Sequence, residues 1–391
     1  MGDIKERLLG SYDAAEMMGR QGISIVNGVA EAFTTDRPAW WDLAGAYVVQ
    51  GAPSGVEAQA AAHLDWKVAK APLYTRWGVP GSTNEPKLVA VPGYSAVVRL
   101  DTKRHLGVVR NSYELIQNNV PFEFSDVLLE QGAKFESAGA LDGGARIFTL
   151  ARIPGADFNI GNDEHRNFLA VLMAHDGSGA MLAFATDWRI VCQNTTRFAL
   201  ADLAKGGTGD GSIKIRHTKN AAARIAAAKT LVQNTIIHSG HLQAKFRALA
   251  GKQVSRENVL TILDRLFPKP EAGVSPKRHE KVLEQILANF ESNDGNAYPE
   301  QRGTGYAMFN AITNYIDHTA PVRVTEKRAG QTPDSIRAER TLFGSDATFK
   351  MGALAVLEEV VLAGKREFTL DEAFEAVKDN PLASLDGLLG D

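Results

Sequence analysis

Apolar and polar positions along this chain change period several times, and each change marks an element. Residues 1–35 mix apolar and charged positions without a sustained period and read as a helical or loosely ordered leader. From Gly55 to Lys70, Val56, Ala60, Leu64 and Val68 recur every four residues, which predicts a short helix. Proline and glycine punctuate the stretch up to Gly93. Tyr94 to Arg110 then reads as a β-hairpin, with YSAVVRL and LGVVR on either side of the polar turn DTKRH. Helical pieces follow around Tyr113–Asn118 and Phe124–Gln131.

The most regular pattern begins at Lys134. Lys134–Ala140 predicts a strand, and LDGG (Leu141–Gly144) a turn whose glycines supply positive φ. Ala145–Pro154 predicts the next strand, Phe168–Ala174 a buried one, His175–Gly179 a turn and Ala180–Thr186 the returning strand. After Trp188, VCQNTTRFALADLA reads as the start and body of a helix. Ala221–Ile237 reads as a second helix, alanine-rich, with Ile225, Ala228, Val232 and Ile236 on one face. Beyond Gly251 the period is helical throughout, with helices expected at Asn258–Phe267, Lys281–Phe290, Ala307–Tyr315, Phe349–Leu362 and Leu370–Ala376. The pattern implies an α+β protein: an antiparallel hairpin sheet running into a helix, followed by a helical C-terminal region. The organisation that follows is a leader over 1–35, an α+β core over 36–250 and a helical region over 251–391 with an acidic tail.

The chain has 391 residues, enough for two or three compact domains, and 44% of them are hydrophobic, as in ordinary globular proteins. No stretch approaches the roughly 20 apolar residues of a membrane span. The start has no apolar centre of the secretory kind, and Glu6 stands where myristoylation needs Ser or Thr. The single cysteine, Cys192, excludes an internal disulfide and a cysteine zinc site, which suits a reducing cytoplasm.

Charge changes the picture more. The formal net charge is −3, but Gly211–Arg256 holds nine Lys and Arg and no Asp or Glu. Glu358–Asp391 holds nine acids and three bases. Segregation of this kind suggests a site for a polyanion together with an acidic tail.

Several residue groups carry candidate chemistry. LDGGAR lacks the Gly-Lys-Ser/Thr ending of a phosphate loop and reads as a hairpin turn. His175 and Asp176, with Cys192 and Asn194 downstream, have the residue types of an acyl-transfer enzyme; the same residues also suit a turn and a buried thiol. The nine histidines show no zinc-type spacing, and no cofactor or metal is expected. In Arg189–Arg197, the uncharged Gln193, Asn194, Thr195 and Thr196 sit at an expected helix entry, where free N–H groups favour phosphate and where Asn194 or Thr195 also suits an N-cap; Arg189 and Arg197 flank it. Lys214, Arg216, Lys219, Arg224 and Lys229 form the heart of the basic window, a density of cations that commonly follows a nucleic-acid backbone. Trp188, Phe148 and Phe184 are either base-stacking surfaces or core.

PAWWDLAG, GVVRNSYELIQN, ESAGALDGGARIFTLARIP, FLAVLMAHDGSGA, RIVCQNTT and IRHT together resemble a family of phage- and plasmid-associated proteins classed as domain of unknown function nine hundred thirty-two. The stretches lie between Pro38 and Lys229. Strands running into a basic helix also resemble, as a fold, the β-β-β-α core of single-strand annealing proteins of the Rad-fifty-two type. That resemblance implies a ring-like homo-oligomer with a positive groove holding one DNA strand, and pairing that needs no ATP. The expectation is therefore a cytoplasmic, non-enzymatic protein. It binds single-stranded DNA and anneals complementary strands in phage or prophage recombination, beside a phage exonuclease or a host single-strand binding protein. Arg189, Arg197, Lys214, Arg216, Lys219, Arg224 and Lys229 would hold phosphates, with polar contacts from Asn194, Thr195 and Thr196. The alternatives are a hydrolase using His175, Asp176 and Cys192, and a structural or host-interaction protein without DNA affinity.

Overall fold

The computed structural model describes residues 23–35, 54–77, 87–130, 132–177, 181–189, 195–197, 213–214, 221–270, 276–292, 298–324 and 345–364, with isolated positions between 333 and 340. The protein is α+β, with antiparallel sheets and helices through the C-terminal region. Short strands β1 (Ile25–Val26) and β2 (Val29–Ala30) form a hairpin. An eight-stranded sheet contains, in spatial order, β12 (Thr195–Arg197), β11 (Leu182–Arg189), β10 (Asp163–Ala174), β8 (Arg146–Arg152), β7 (Lys134–Leu141) and β3 (Ala32–Thr34). Two further strands join it: β9 (Phe158–Ile160) pairs with β10, and β13 (Ile213–Lys214) with β11. A separate three-stranded sheet has the order β4 (Val68–Trp77), β5 (Lys87–Arg99), β6 (His105–Arg110).

The chain divides into two compact units. The first takes residues 1–151, 170–183 and 213–230, and the second 152–169, 184–212 and 231–391. In the first, helices α1 (Gly55–Ala61) and α2 (Asn119–Leu129) pack together and on β7. A capping box sets the start of α1: Ser54 caps Glu57 N–H, and the Glu57 carboxylate accepts from Ser54 N–H at 2.9 Å. Phe33 of β3, Phe122 of α2 and Phe135 of β7 form a buried aromatic row, with ring centroids 6.2 and 6.0 Å apart. β7 is buried on both faces from Phe135 onward, including Glu136 and Ser137.

In the second unit, helix α3 (Ala221–Ala250) enters at Leu231. Its buried positions there are Val232, Thr235, Ser239, Leu242, Phe246 and Leu249, alternating three and four residues apart. This is a narrow stripe of the coiled-coil kind. Helices α4 (Arg256–Leu266), α5 (Lys277–Glu291), α6 (Gly305–Asn314) and α7 (Ser345–Leu357) follow. α6 is apolar nearly all round and is buried from Gly305 to Thr313, as such a helix must be. α5 and α7 pack on it. Both α6 and α7 pass into π-helical turns, Tyr315–Thr319 and Glu358–Leu362. Lys350 of α7 and Asp317 of the first π turn form a fully buried ion pair at 2.6 Å.

The structure bears out the 94–110 hairpin, the strand–turn–strand series from Lys134 to Thr186, the long helix from Ala221 and the four described C-terminal helices. It corrects others. Residues 25–34, read as part of a helical or loose leader, are strands, and Ala30, Ala32 and Phe33 are core residues. The helix from Gly55 ends at Ala61; Val68 starts a strand and Val56 is exposed. Tyr113–Gln117 is not helical. The α3 stripe leaves Val232 for Thr235 and Ser239, so Ile236 is exposed. The expected helix at Leu370–Ala376 lies outside the described residues.

Candidate nucleic-acid interface

The basic window follows a simple backbone path. Ile213 and Lys214 form β13, antiparallel to β11, with Lys214 opposite Leu182 and Ile213 opposite Ala183. Arg224 and Lys229 fall in the first turns of α3, which continues for 30 residues, about 45 Å of helix. Farther along α3 and just beyond it, Arg247, Lys252 and Arg256 are exposed. Lys245 is not available in the same way, because it pairs with Glu358 at 2.9 Å. Arg216, Lys219 and Asn194 lie outside the described residues.

The segment before the window differs from expectation. Thr195, Thr196 and Arg197 form strand β12, paired antiparallel with Trp188, Asp187 and Thr186 of β11, and α7 packs beside it. The helix entry expected at Asn194–Thr196, with open N–H groups for phosphate, is therefore not formed at Thr195–Arg197. Short β-branched threonines pair where a partner strand offers a ladder, and that tertiary choice overrides their capping preference. Arg189 is the last residue of β11. Phe148 and Phe184 are fully buried, which removes them as stacking surfaces.

The enzyme-like pair is also accounted for. His175 is buried, and its Nε2 lies 2.7 Å from Asn118 Oδ1. Asn118 Nδ2 donates to the carbonyls of Leu64 and Trp66, both at 3.1 Å, which fixes Oδ1 as the acceptor. The neutral imidazole therefore carries its proton on Nε2. Burial lowers the His175 pKa to about 4, with the Asp176 charge opposing that shift. Asp176 pairs with Arg146 at 3.1 Å. Both residues serve the β10–β11 turn, and Cys192 lies outside the described residues.

Two polar clusters escape sequence reading. In the second unit, Tyr306 of α6 donates to Asp163 at 2.8 Å and lies 2.6 Å from His165 Nε2. His165 Nδ1 lies 2.7 Å from Asp187 Oδ2. Because Tyr306 donates to Asp163, its oxygen accepts from His165 Nε2–H, and His165 and Asp187 share the next proton. Burial pushes the Asp187 carboxyl up, with His165 opposing. Phe158 stacks on His165 at 4.6 Å, and every member of the chain is buried. A cluster closed to solvent in this way fastens β10 and β11 to α6.

In the first unit, Arg99 is buried between two carboxylates. It donates to Glu31 at 2.7 Å and, through a second nitrogen, to the other Glu31 oxygen. It also donates to Asp101 at 2.7 and 2.8 Å. Its guanidinium lies 4.0 Å above the Trp66 ring. These residues border a cavity of about 230 Å³ with Asn27, His63 and Asp65. Asn27, His63, Lys103 and Asp142, the described non-glycine residues with left-handed φ, all lie in the turns around Arg99. The signal in sequence was slight, since Glu31 stands in a stretch without period.

Among the described residues, no helix is long and apolar enough to cross a membrane. Nor, among those residues, do three or more His, Cys, Asp or Glu side chains gather to hold a metal ion. The fold and the positions of the basic window describe an α+β protein with an antiparallel sheet, a long basic helix and a helical region after it. The family described as a domain of unknown function (DUF932) matches residues 105–337, more than half of the chain, and the chain belongs to it. No curated protein and no solved structure matches it.

Proposed function

We propose that this protein binds single-stranded DNA and anneals complementary strands in phage or prophage recombination, as a homo-oligomeric ring. The observation that carries the reading is the acid-free window: nine cations and no carboxylate from Gly211 to Arg256. Its described parts are a strand on β11 and one long helix. A run of cations without interspersed acids gives a field of several kT that draws in a polyanion. Lys214, Arg216, Lys219, Arg224 and Lys229 would neutralise phosphates, with Arg189 and Arg197 on neighbouring strands. The resemblance of strands and basic helix to annealing proteins supports the same reading as an analogy of fold. Pairing then needs no ATP, since the protein's part is to reduce repulsion between strands while leaving base edges open. A phage exonuclease or a host single-strand binding protein suits such an activity as a partner.

The test is the combined variant Lys214→Glu, Arg216→Glu, Lys219→Glu. Reversing three cations changes the local balance by six charges. The expected result is loss of oligonucleotide binding by fluorescence anisotropy, with an unchanged size-exclusion profile. Wild-type affinity in that variant would place the DNA path elsewhere or remove it.

A further inference from the structure

The three-stranded sheet β4–β6 displays a second cationic surface that the basic window does not include. Its strands carry Lys70, Arg76, Lys87, Arg99 and Arg110, and no Asp or Glu. Arg99 is held inside by Glu31 and Asp101; the other four are exposed. Directly opposed residues of an antiparallel pair share a face. Tyr94 stands opposite Arg110, and Ala96 opposite Val108. Tyr94 is 45% exposed and Val108 53%, whereas Val97 and Val109, on the other face, are buried. The face bearing Tyr94, Val108 and Arg110 is thus open at those three residues, although Ala96 between them is buried, and it pairs an aromatic ring with a guanidinium.

Past an irregularity between Pro72 and Tyr74, β4 and β5 continue as a two-stranded ribbon. There Tyr74 opposes Ala90, Arg76 opposes Leu88, and Thr75 opposes Val89. Tyr74 is 55% exposed, Leu88 72% and Val89 47%, so both faces of the ribbon are open. A ribbon of this kind is marginal in water by itself, and its apolar side chains call for a partner. Exposed aromatics set among cations without acids match the surface on which single strands lie, with bases stacking on rings and phosphates beside the cations.

We propose that β4–β6 forms a single-stranded nucleic-acid platform, on which bases stack against Tyr94 and Tyr74 while Arg110, opposite Tyr94, and Arg76, on the Tyr74 face of the ribbon, neutralise phosphates. The proposal rests on the DNA-binding reading above and gives it a second contact, outside Gly211–Arg256. The other face is anchored by Arg99, which Glu31 and Asp101 hold inside. Charge selects the occupant, because a cationic surface without acids attracts a polyanion and repels a second copy of itself.

The test combines affinity, contact and assembly in the full chain. Tyr94→Ala with Arg110→Ala should weaken binding of a fluorescein-labelled oligothymidylate about tenfold, since one stacked base and one phosphate contact are lost. Tyr94→Phe with Arg110 intact should bind like wild type, because stacking needs the ring and not the hydroxyl. An oligonucleotide containing 5-iododeoxyuridine should photo-crosslink to the peptide bearing Tyr94 or Tyr74. If wild type binds, the double variant binds equally well and crosslinks fall only within residues 211–256, the platform is wrong and the DNA-binding reading stands. If wild type binds no oligonucleotide at low salt, the DNA-binding reading fails and takes the platform with it. If Tyr74→Ser with Leu88→Ser changes the sedimenting species but leaves affinity per protomer unchanged, the ribbon joins copies of this chain and the proposal is overturned.

Discussion

Asn118 cannot turn without losing two carbonyl partners, and this decides the state of His175. The imidazole stays neutral because burial holds its pKa near 4, below the ordinary histidine value. A histidine depressed in the folded state binds its proton more readily when unfolded. Its contribution is therefore complete above the ordinary value of 6.5 and is lost as pH falls towards 4. Across that window the loss is about 3 kcal/mol. Buried acids with raised pKa values, such as Glu31, Asp157 and Asp346, act in the opposite direction. The comparison with His175→Gln isolates the histidine, because the Gln amide can donate to Asn118 as Nε2 does. Urea unfolding at pH 7 and pH 5 should show a larger acid loss in wild type than in this variant; equal losses would remove His175 as the cause. Arg99 allows a second prediction at the same scale. Arg99→Met leaves Glu31 buried without its cation and should cost about 3–5 kcal/mol. Adding Glu31→Gln should restore part of that loss, and no recovery would show that Arg99 acts through Asp101 or Trp66 instead. The roles of His175 and Glu31 were not legible in sequence. His175 looked like turn or catalytic chemistry, and Glu31 lay in an aperiodic stretch, because a buried charge is revealed by its partners and those lie far away in the chain.

At the scale of elements, tight turns and buried apolar runs were legible, and short pieces were not. LDGG carries its turn in its glycines: Gly143 and Gly144 both take positive φ. A Cβ on Gly144 would also come within 2.8 Å of the Trp66 ring. Phe168–Ala174 is apolar without a break, and that length between turn signals reads as a buried strand. β1, β2, β3 and β12 are two or three residues long, too short for any period to show. β1 and β2 pair with each other across a tight turn, whereas β3 and β12 exist because a longer strand offers them a ladder: β3 joins β7 at Ala32–Thr34, and β12 joins β11. The His165 chain shows the same dependence on distance, since Tyr306 lies 141 residues from its histidine. Tyr306→Phe keeps the ring and removes the hydroxyl that both Asp163 and His165 use. Leaving buried groups without that partner should cost about 1–3 kcal/mol in chemical denaturation. An unchanged midpoint would show that the chain of hydrogen bonds does not fasten α6 to the strands.

At the scale of the whole molecule, what the sequence made most legible was the α+β class and the segregation of charge, since both are sums over many residues and survive errors at single positions. The nine cations of Gly211–Arg256 are unaffected by whether Thr195 caps a helix or joins a strand. What sums leave out is where else charge collects, and the cations of β4–β6 are spread over a stretch that composition alone does not separate from its acidic neighbours Glu85 and Asp101. Salt dependence reads both surfaces at once. Each phosphate neutralised on a single strand releases counterions, and the slope of log affinity against log salt is about −0.7 per phosphate. If the window alone holds about five phosphates, the slope is near −3 to −4. If Arg110 and Arg76 add contacts on the β4–β6 sheet, wild type should be steeper than that. Arg76→Ala with Arg110→Ala should then bring the slope back by about 1 to 1.5 while the window keeps the remainder. Anisotropy titrations of an oligothymidylate at several salt concentrations measure both slopes. A wild-type slope near zero would show that cations do not govern binding, and a slope that the sheet variant leaves unchanged would confine the phosphate contacts to the window.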